Sequence, residues 1–154
     1  MLPFKKILWP TDFSEASYAA LEPAKELAEH FSAELCILHV VAPIPTATVP
    51  APVAPATFNV PMYQKELQES SEKTLRELVE QKFPKGMRIR ALVKQGSAAY
   101  EIVQVAGDEG VNLIVIATHG QTGWRRIMFG SVAEKVVRMA RTAVLTVPAP
   151  SREE

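Results

Sequence analysis

The sequence lacks several features on which a function is often assigned. Its single cysteine, Cys36, cannot form an internal disulfide, and because it lies in an apolar run we interpret it as a small core residue in a reducing compartment. The 17 Lys and Arg residues balance 17 Asp and Glu residues, so net charge gives no argument for binding nucleic acid or an acidic membrane surface. No apolar run approaches the roughly 20 residues of a membrane span, and the amino-terminal apolar stretch is too short for a signal peptide. These absences favour a cytoplasmic protein.

The motifs of common catalysts are also missing. There is no Gly-x-x-x-x-Gly-Lys-(Ser/Thr) loop, which ordinary ATPases use to supply lysine and magnesium chemistry. Neither a cysteine and histidine cluster for zinc nor a serine in a Gly-x-Ser-x-Gly elbow is present. We therefore predict no catalytic residues, and expect a ligand to be held rather than turned over.

The chain does contain a regular alternation of apolar strands and amphipathic helices. With 154 residues and 47% hydrophobic composition it is expected to form one domain with a sizeable core. Five strands and four helical segments predict a parallel sheet with helices on both faces, and Pro23 is expected to bend the first helix. The predicted strands are 7–9, 34–41, 88–94 (an edge strand), 112–118 and 143–147. The first helix is expected to end near His30, and the second to run from Met62 to about Phe83. The third is expected to follow Ser97 as its cap, and the fourth to run from Ser131 to Arg141.

Half of the prolines lie in residues 43–61, where extended conformation is favoured over regular structure. This segment is either a mobile connection inserted into a crossover or a lid or partner-contacting arm. We expect the domain to span residues 1–148 with this loop inside it. Residues 149–154 are expected to form a flexible tail.

Residues 112–141 carry the strongest functional signal. A buried strand is followed by a polar loop bounded by Gly120 and Gly130, and then by Ser131 and Glu134 at capping-box spacing. The first N–H groups of a helix have no intrahelical partner, and the helix dipole favours negative charge there. The sequence therefore predicts a phosphate-bearing ligand at this point.

Parallel sheets bind ligands at the carboxyl ends of their strands, where the strand order reverses. We therefore expect Pro10 to Asp12, Val40, and Ala117 to Gly120 to face one crevice. Asp12 can either cap the first helix or belong to the site. His39 is interpreted as a packing residue or a partner for the backbone.

Four stretches together resemble the universal stress protein family. They are Lys6-Ile-Leu-Trp-Pro-Thr-Asp-Phe-Ser14, Leu38-His-Val40, Ala117-Thr-His-Gly with nine residues before Gly130-Ser131, and Ala143-Val-Leu-Thr-Val147. The resemblance covers nearly the whole chain. It implies a Rossmann-like fold of the adenine nucleotide alpha hydrolase type with strand order 3-2-1-4-5, an ATP site with or without Mg²⁺, and a homodimer formed through strand 143–147.

The resemblance also implies a role for each site residue. Asp12 would meet the ribose or adenine, Val40 would offer backbone groups to the adenine edge, and Pro10 and Thr11 would line the same pocket. The other expected nucleotide-binding residues are Ala117, His119, Gly120, Gly130, Ser131 and Val132. The first glycine of the family pattern is Ala117 here, and because it comes directly off a strand we expect its φ to be negative, where alanine adds only a methyl group.

Three functions are compatible with these residues. The first is a dimeric stress-response module that binds ATP and signals through its nucleotide state. The second is an interaction protein without a nucleotide, in which Ala117 marks a degraded site and the proline-rich arm or the Trp124 loop contacts a partner. The third is a slow ATP hydrolase that uses water positioned by Asp12 or His119.

Overall fold

The structure, a computed structural model, describes residues 1–45, 59–118 and 130–149. The centre of the proline-rich segment (46–58), His119, Gly120, the Trp124 loop and the tail beyond residue 149 lie outside the described residues. The elements in chain order are β1 (Lys6–Pro10), α1 (Glu15–Tyr18), α2 (Leu21–Phe31), β2 (Glu34–Val41), α3 (Val60–Lys82), β3 (Ile89–Gln95), α4 (Ala98–Asp108), β4 (Leu113–Ala117), α5 (Ser131–Met139) and β5 (Ala143–Val147).

The five strands form one sheet in which every pairing is parallel, in the order β3-β2-β1-β4-β5. This order confirms the predicted fold and the edge position of the third strand. β1 is central, since Ile7 pairs with Leu35 of β2 on one side and with Leu113 of β4 on the other. The strand order therefore reverses beside β1, and this places a crevice at its carboxyl end.

Both faces of the sheet are covered by helices, as the continuous apolar runs predict. On one face Ile7 and Trp9 of β1 pack in a cluster with residues of α2 and α3, among them Leu75. On the other face Leu8 and Cys36 pack in a second cluster with residues of α4 and α5. The core therefore consists of two layers separated by the sheet.

The first helical segment is two helices, with a break at Ala19 and Ala20 between α1 and α2. Pro23 is the third residue of α2, so the N–H that it lacks belongs to the first turn, where no intrahelical partner is needed. Where the sequence predicted a bend in one helix, the helix is interrupted and starts again at Leu21. Proline is tolerated in the first turn of a helix and not in its interior, so Pro23 fits the new start.

Two helix starts differ from their predictions. α3 begins at Val60 with Pro61 in its first turn and Asn59 as its cap, so Pro61 belongs to the helix and not to the loop. The capping box at Ser131 was wrong, because the N-cap of α5 is Gly130, with an extended φ of −58° and ψ of 153°, and Ser131 is the first helical residue. Ser97 occupies its predicted cap position, but its side chain makes no capping hydrogen bond.

The spacing of apolar residues in the last helix predicts that Val132, Val136, Val137 and Ala140 face inward, and the structure differs in part. Val136 is buried as expected, but Val132 and Val137 are exposed, and Ala133 is buried instead. Ala133, Val136 and Ala140 follow one another at spacings of three and four, so they form the stripe that packs against the sheet. The outer face of α5 is consequently more apolar than the sequence prediction allowed.

Cys36 is a free cysteine with no exposed surface, which confirms its interpretation as a core residue. Burial raises the pKa of its thiol to about 11, and the neighbouring Glu34 carboxylate adds to this rise. Burial in an apolar layer disfavours the thiolate, which is the reactive form.

We expect the native protein at pH 8 to react very slowly with an aromatic disulfide reagent, because a pKa of about 11 leaves about one Cys36 thiol in a thousand as thiolate and the sulfur is inaccessible. Absorbance of the released aromatic thiol measures the reaction. In guanidinium chloride the same sample should release one equivalent per chain within minutes. Comparable rates in the native and unfolded protein would contradict the buried placement.

Candidate functional site

A cavity of about 230 Å³ lies at the carboxyl ends of β1, β2 and β4, between the amino-terminal ends of α4 and α5. The structure thus brings together eight of the predicted site residues, whose role toward a ligand stays a prediction, whereas His119 and Gly120 lie outside the described residues. The lining residues are Pro10, Thr11, Asp12, Ser17, Leu38, Val40, Ala98, Ile102, Ile116, Ala117, Thr118, Gly130, Ser131, Val132 and Ala133.

The first turn of α5 forms one wall of this cavity. The N–H of Glu134 donates to the carbonyl of Gly130 at 3.0 Å and begins the intrahelical ladder, so the N–H groups of Ser131, Val132 and Ala133 precede that ladder. The N–H of Gly130 donates to the carbonyl of Thr118 at 2.5 Å, which ties the helix start to the end of β4. This wall has the geometry and the dipole direction that favour an anion.

The loop between β1 and α1 and the α1 residue Ser17 form another part of the lining, and their hydroxyl groups are bonded to one another. Thr11 is 5% exposed, and its hydroxyl lies 2.9 Å from the hydroxyl of Ser17. Ser17 Oγ donates to the carbonyl of Ser14 at 2.8 Å, so in that pair Thr11 is the donor. Thr11 Oγ1 in turn accepts from the N–H of Phe13 at 3.0 Å. Its proton is therefore used in the bond to Ser17, and toward a ligand it offers one remaining lone pair.

Asp12 lines the cavity and also braces this loop. Its Oδ1 accepts from the N–H of Ser14 at 3.0 Å and from the Ser14 hydroxyl. Ser14, and not Asp12, is the N-cap of α1, since its side chain accepts from the N–H of Ser17. Of the two roles considered for Asp12, helix capping is therefore wrong. Burial, together with the negative charge of Asp12, raises the pKa of Tyr18.

Phe13, the next residue, has an unusual backbone conformation. Its φ of +62° lies in the left-handed region, which costs a bulky residue about 1–3 kcal/mol. The Phe13 ring stacks on the His39 ring with centroids 4.2 Å apart and an angle of 23° between the planes. His39 Nδ1 lies 2.9 Å from the carbonyl of Thr11. The interpretation of His39 as a residue for packing and a backbone bond is confirmed.

Ala117 forms part of the cavity wall as the last residue of β4 and is 7% exposed. Among the described residues, Phe13 and Ser32 are the non-glycine residues with positive φ, so φ of Ala117 is negative as predicted. A glycine is therefore not required by the backbone at this position. The alanine adds one methyl group to the wall and no backbone strain.

Sequence reasoning missed six residues of the lining, whereas Thr118 lies in the range Ala117 to Gly120 that was expected to face the crevice. Two of them, Ala98 and Ile102, stand one turn apart at the start of α4, and a helix that follows a parallel strand always begins at the carboxyl edge of the sheet, so this signal was present. Ser17 gave no such signal, because its place depends on the short helix α1 and on the break after it. The other missed residues are Leu38, Ile116 and Ala133.

The comparisons with known proteins agree with this architecture. The model of the universal stress protein family matches residues 3–148. Universal stress protein MJ0531 of Methanocaldococcus jannaschii is 34% identical over 150 residues, covering 97% of this chain and 85% of that protein. Universal stress protein YxiE of Bacillus subtilis is 33% identical over 146 residues, covering 94% of this chain and 99% of that protein.

Solved structures show the same fold. The structure of MJ0577, another protein of M. jannaschii, has a TM-score of 0.76 and 29% identity, covering 96% of this chain and 98% of that chain. A universal stress protein in complex with cAMP has a TM-score of 0.63 and 21% identity. In sequence and in fold, this chain belongs to the universal stress protein family.

Proposed function

We propose that the protein is a cytoplasmic stress-response module that binds ATP, with or without Mg²⁺, in the cavity at the carboxyl ends of β1, β2 and β4, and that it acts as a homodimer. The observation that carries the proposal is that the first turn of α5 and the carboxylate of Asp12 line the same small cavity. N–H donors in one part of the lining and a carboxylate acceptor in another match a ligand with phosphates at one end and donor groups at the other.

The walls between these two groups are apolar. Leu38, Val40 and Ile116 line the cavity from the sheet, and Ile102 lines it from α4. A planar base is held well by such surfaces, while a few polar groups set its orientation. We propose that the base lies near Val40 and Asp12 and that the phosphates lie at Ser131 and Val132. The universal stress protein in complex with cAMP supports an adenine nucleotide, since its fold is the same.

The two edges of the sheet support a homodimer through β5. The edge strand β3 carries Arg90 and Lys94, and charged side chains of this kind discourage strand pairing between copies. β5, Ala143-Val-Leu-Thr-Val147, carries no charge, and its Leu145 is 39% exposed. Val137 and Met139 of the preceding helix are exposed as well. Pairing of β5 with its own copy would cover this edge.

Purified protein should carry or bind an adenine nucleotide. We expect acid treatment to release ATP, ADP or AMP that chromatography identifies, and calorimetry with ATP and Mg²⁺ to give saturable binding in stripped protein. No released nucleotide together with no calorimetric signal would overturn the proposal and favour the nucleotide-free interaction protein. Bound ATP that survives days of incubation would exclude the slow hydrolase.

The variant Gly130→Val should lose nucleotide binding while keeping its fold. The φ and ψ of Gly130 suit any residue, so the backbone accepts the change, but a side chain there would keep a phosphate from the first turn of α5. Because each hydrogen bond to a charged group contributes about 1.5–3 kcal/mol, we expect the Kd for ATP to rise about 100-fold or more.

Gly107→Val is the matched control for that variant. Gly107 lies in α4, and a Cβ built there meets no atom within 4 Å. Calorimetry should give this control a Kd near that of the wild type. Equal Kd values for Gly130→Val and the wild type would place the phosphates elsewhere.

Leu145→Lys should separate the dimer, because it puts a charge into the apolar edge that would pair. Sedimentation or light scattering should show the mass falling from two chains to one at micromolar concentration. Met62→Lys, which changes a 58% exposed apolar residue on α3, should leave the mass at two chains. A dimer that persists in Leu145→Lys would exclude β5 as the interface.

A further inference from the structure

The loop between β1 and α1 is fixed from the side of the sheet that faces away from the cavity. Successive side chains of a strand point to opposite faces, and Leu38 and Val40 of β2 both line the cavity. His39, between them, points to the other face and does not line the cavity. A contact made by His39 therefore acts on the site only through the loop.

His39 contacts the loop on both sides of Asp12. A carbonyl oxygen only accepts hydrogen bonds, so Nδ1 of His39 carries a proton and donates to the carbonyl of Thr11, the residue before Asp12. The same ring stacks on Phe13, the residue after Asp12. The His39 side chain thus contacts both the residue before Asp12 and the residue after it.

The backbone of Phe13 indicates that this hold is needed. A phenylalanine at φ +62° persists only where its surroundings enforce the conformation, and such residues concentrate at ligand sites. The stack on His39, the hydrogen bond from the Phe13 N–H to Thr11 Oγ1 and packing against the apolar layer of Ile7 and Trp9 hold this conformation. Without the stack, the loop would be held less firmly in the geometry in which Asp12 lines the cavity.

We propose that His39 and Phe13 form a positioning pair, which sets the placement of Asp12 and Thr11 and thereby the affinity for the nucleotide without touching it. The effect on nucleotide affinity rests on the proposed function. The hold of the two rings on the loop does not, because it can be measured in the protein without a ligand. The competing explanation is that the two rings only cover apolar surface and contribute to overall stability.

Three variants separate the two contacts that His39 makes. His39→Asn keeps a side-chain N–H close to the position of Nδ1 and loses the ring, His39→Phe keeps a ring and loses the donor, and His39→Ala loses both. Calorimetry with ATP and Mg²⁺ should show Kd rising about ten-fold in His39→Ala, as outer residues that orient a binding group typically contribute, and rising less in the other two. The denaturant midpoint of each variant reports global stability.

His30→Ala is the matched control. His30 also contacts an aromatic ring, Phe31, with centroids 4.8 Å apart, but it stands at the carboxyl end of α2, away from the loop. It should bind ATP as tightly as the wild type.

Amide hydrogen exchange in the nucleotide-free protein tests the hold on the loop directly. His39→Ala should speed exchange at Phe13 and Ser14, whose N–H groups bond within the loop. The N–H of Asn112, which donates to Lys6 at the far end of the sheet, should exchange at its wild-type rate.

Unchanged exchange at Phe13 and Ser14 in His39→Ala would overturn the positioning pair. So would an unchanged Kd, or Kd values in the three variants that follow their denaturant midpoints and not the contacts retained. A wild-type protein that binds no nucleotide would overturn the proposed function instead, and the exchange result would then decide whether the pair holds the loop.

Discussion

The constraint on which the structure depends is the burial of β1 between β2 and β4. Ile7, Leu8 and Trp9 have no exposed surface, and their side chains alternate between the two apolar layers. A strand held in this way cannot shift its register without moving apolar side chains from one layer to the other. Its carboxyl end is therefore a fixed point, and the loop that follows it begins from a defined position.

None of the helices in the described ranges is both long and apolar enough to cross a membrane.

Above that fixed point, hydrogen bonds inside the protein set the polar groups of the cavity in advance. Thr11 bonds to Ser17 and Asp12 bonds to Ser14, while Gly130 bonds to Thr118 at the start of α5. Groups that are already held lose little freedom when a ligand arrives. At the other end of the sheet, where the strands begin, ion pairs join Lys6 to Glu34 and Glu109. The cavity thus lies at the carboxyl ends of the strands, where α4 and α5 begin.

The sequence predicted the strands well because burial on both faces leaves a continuous apolar run, and β2 was predicted to the residue. It predicted the strand order only through the family resemblance, since no residue pattern in the chain states which strands are neighbours. Helix starts were less predictable. Gly130 and Ser131 are both acceptable caps, and the choice between them depends on a hydrogen bond to Thr118, which is distant in sequence. Val132 was predicted to face inward because it is apolar and lies four residues before Val136, but Ala133, three residues before Val136, is buried there instead.

The hydrogen bond between Gly130 and Thr118 joins the end of β4 directly to the start of α5. The residues on either side of the segment 119–129 are thus bonded to each other. The junction of β4 and α5 therefore rests on a contact between described residues. A junction of this kind separates the stability of the site from whatever chemistry the inserted residues bring to it.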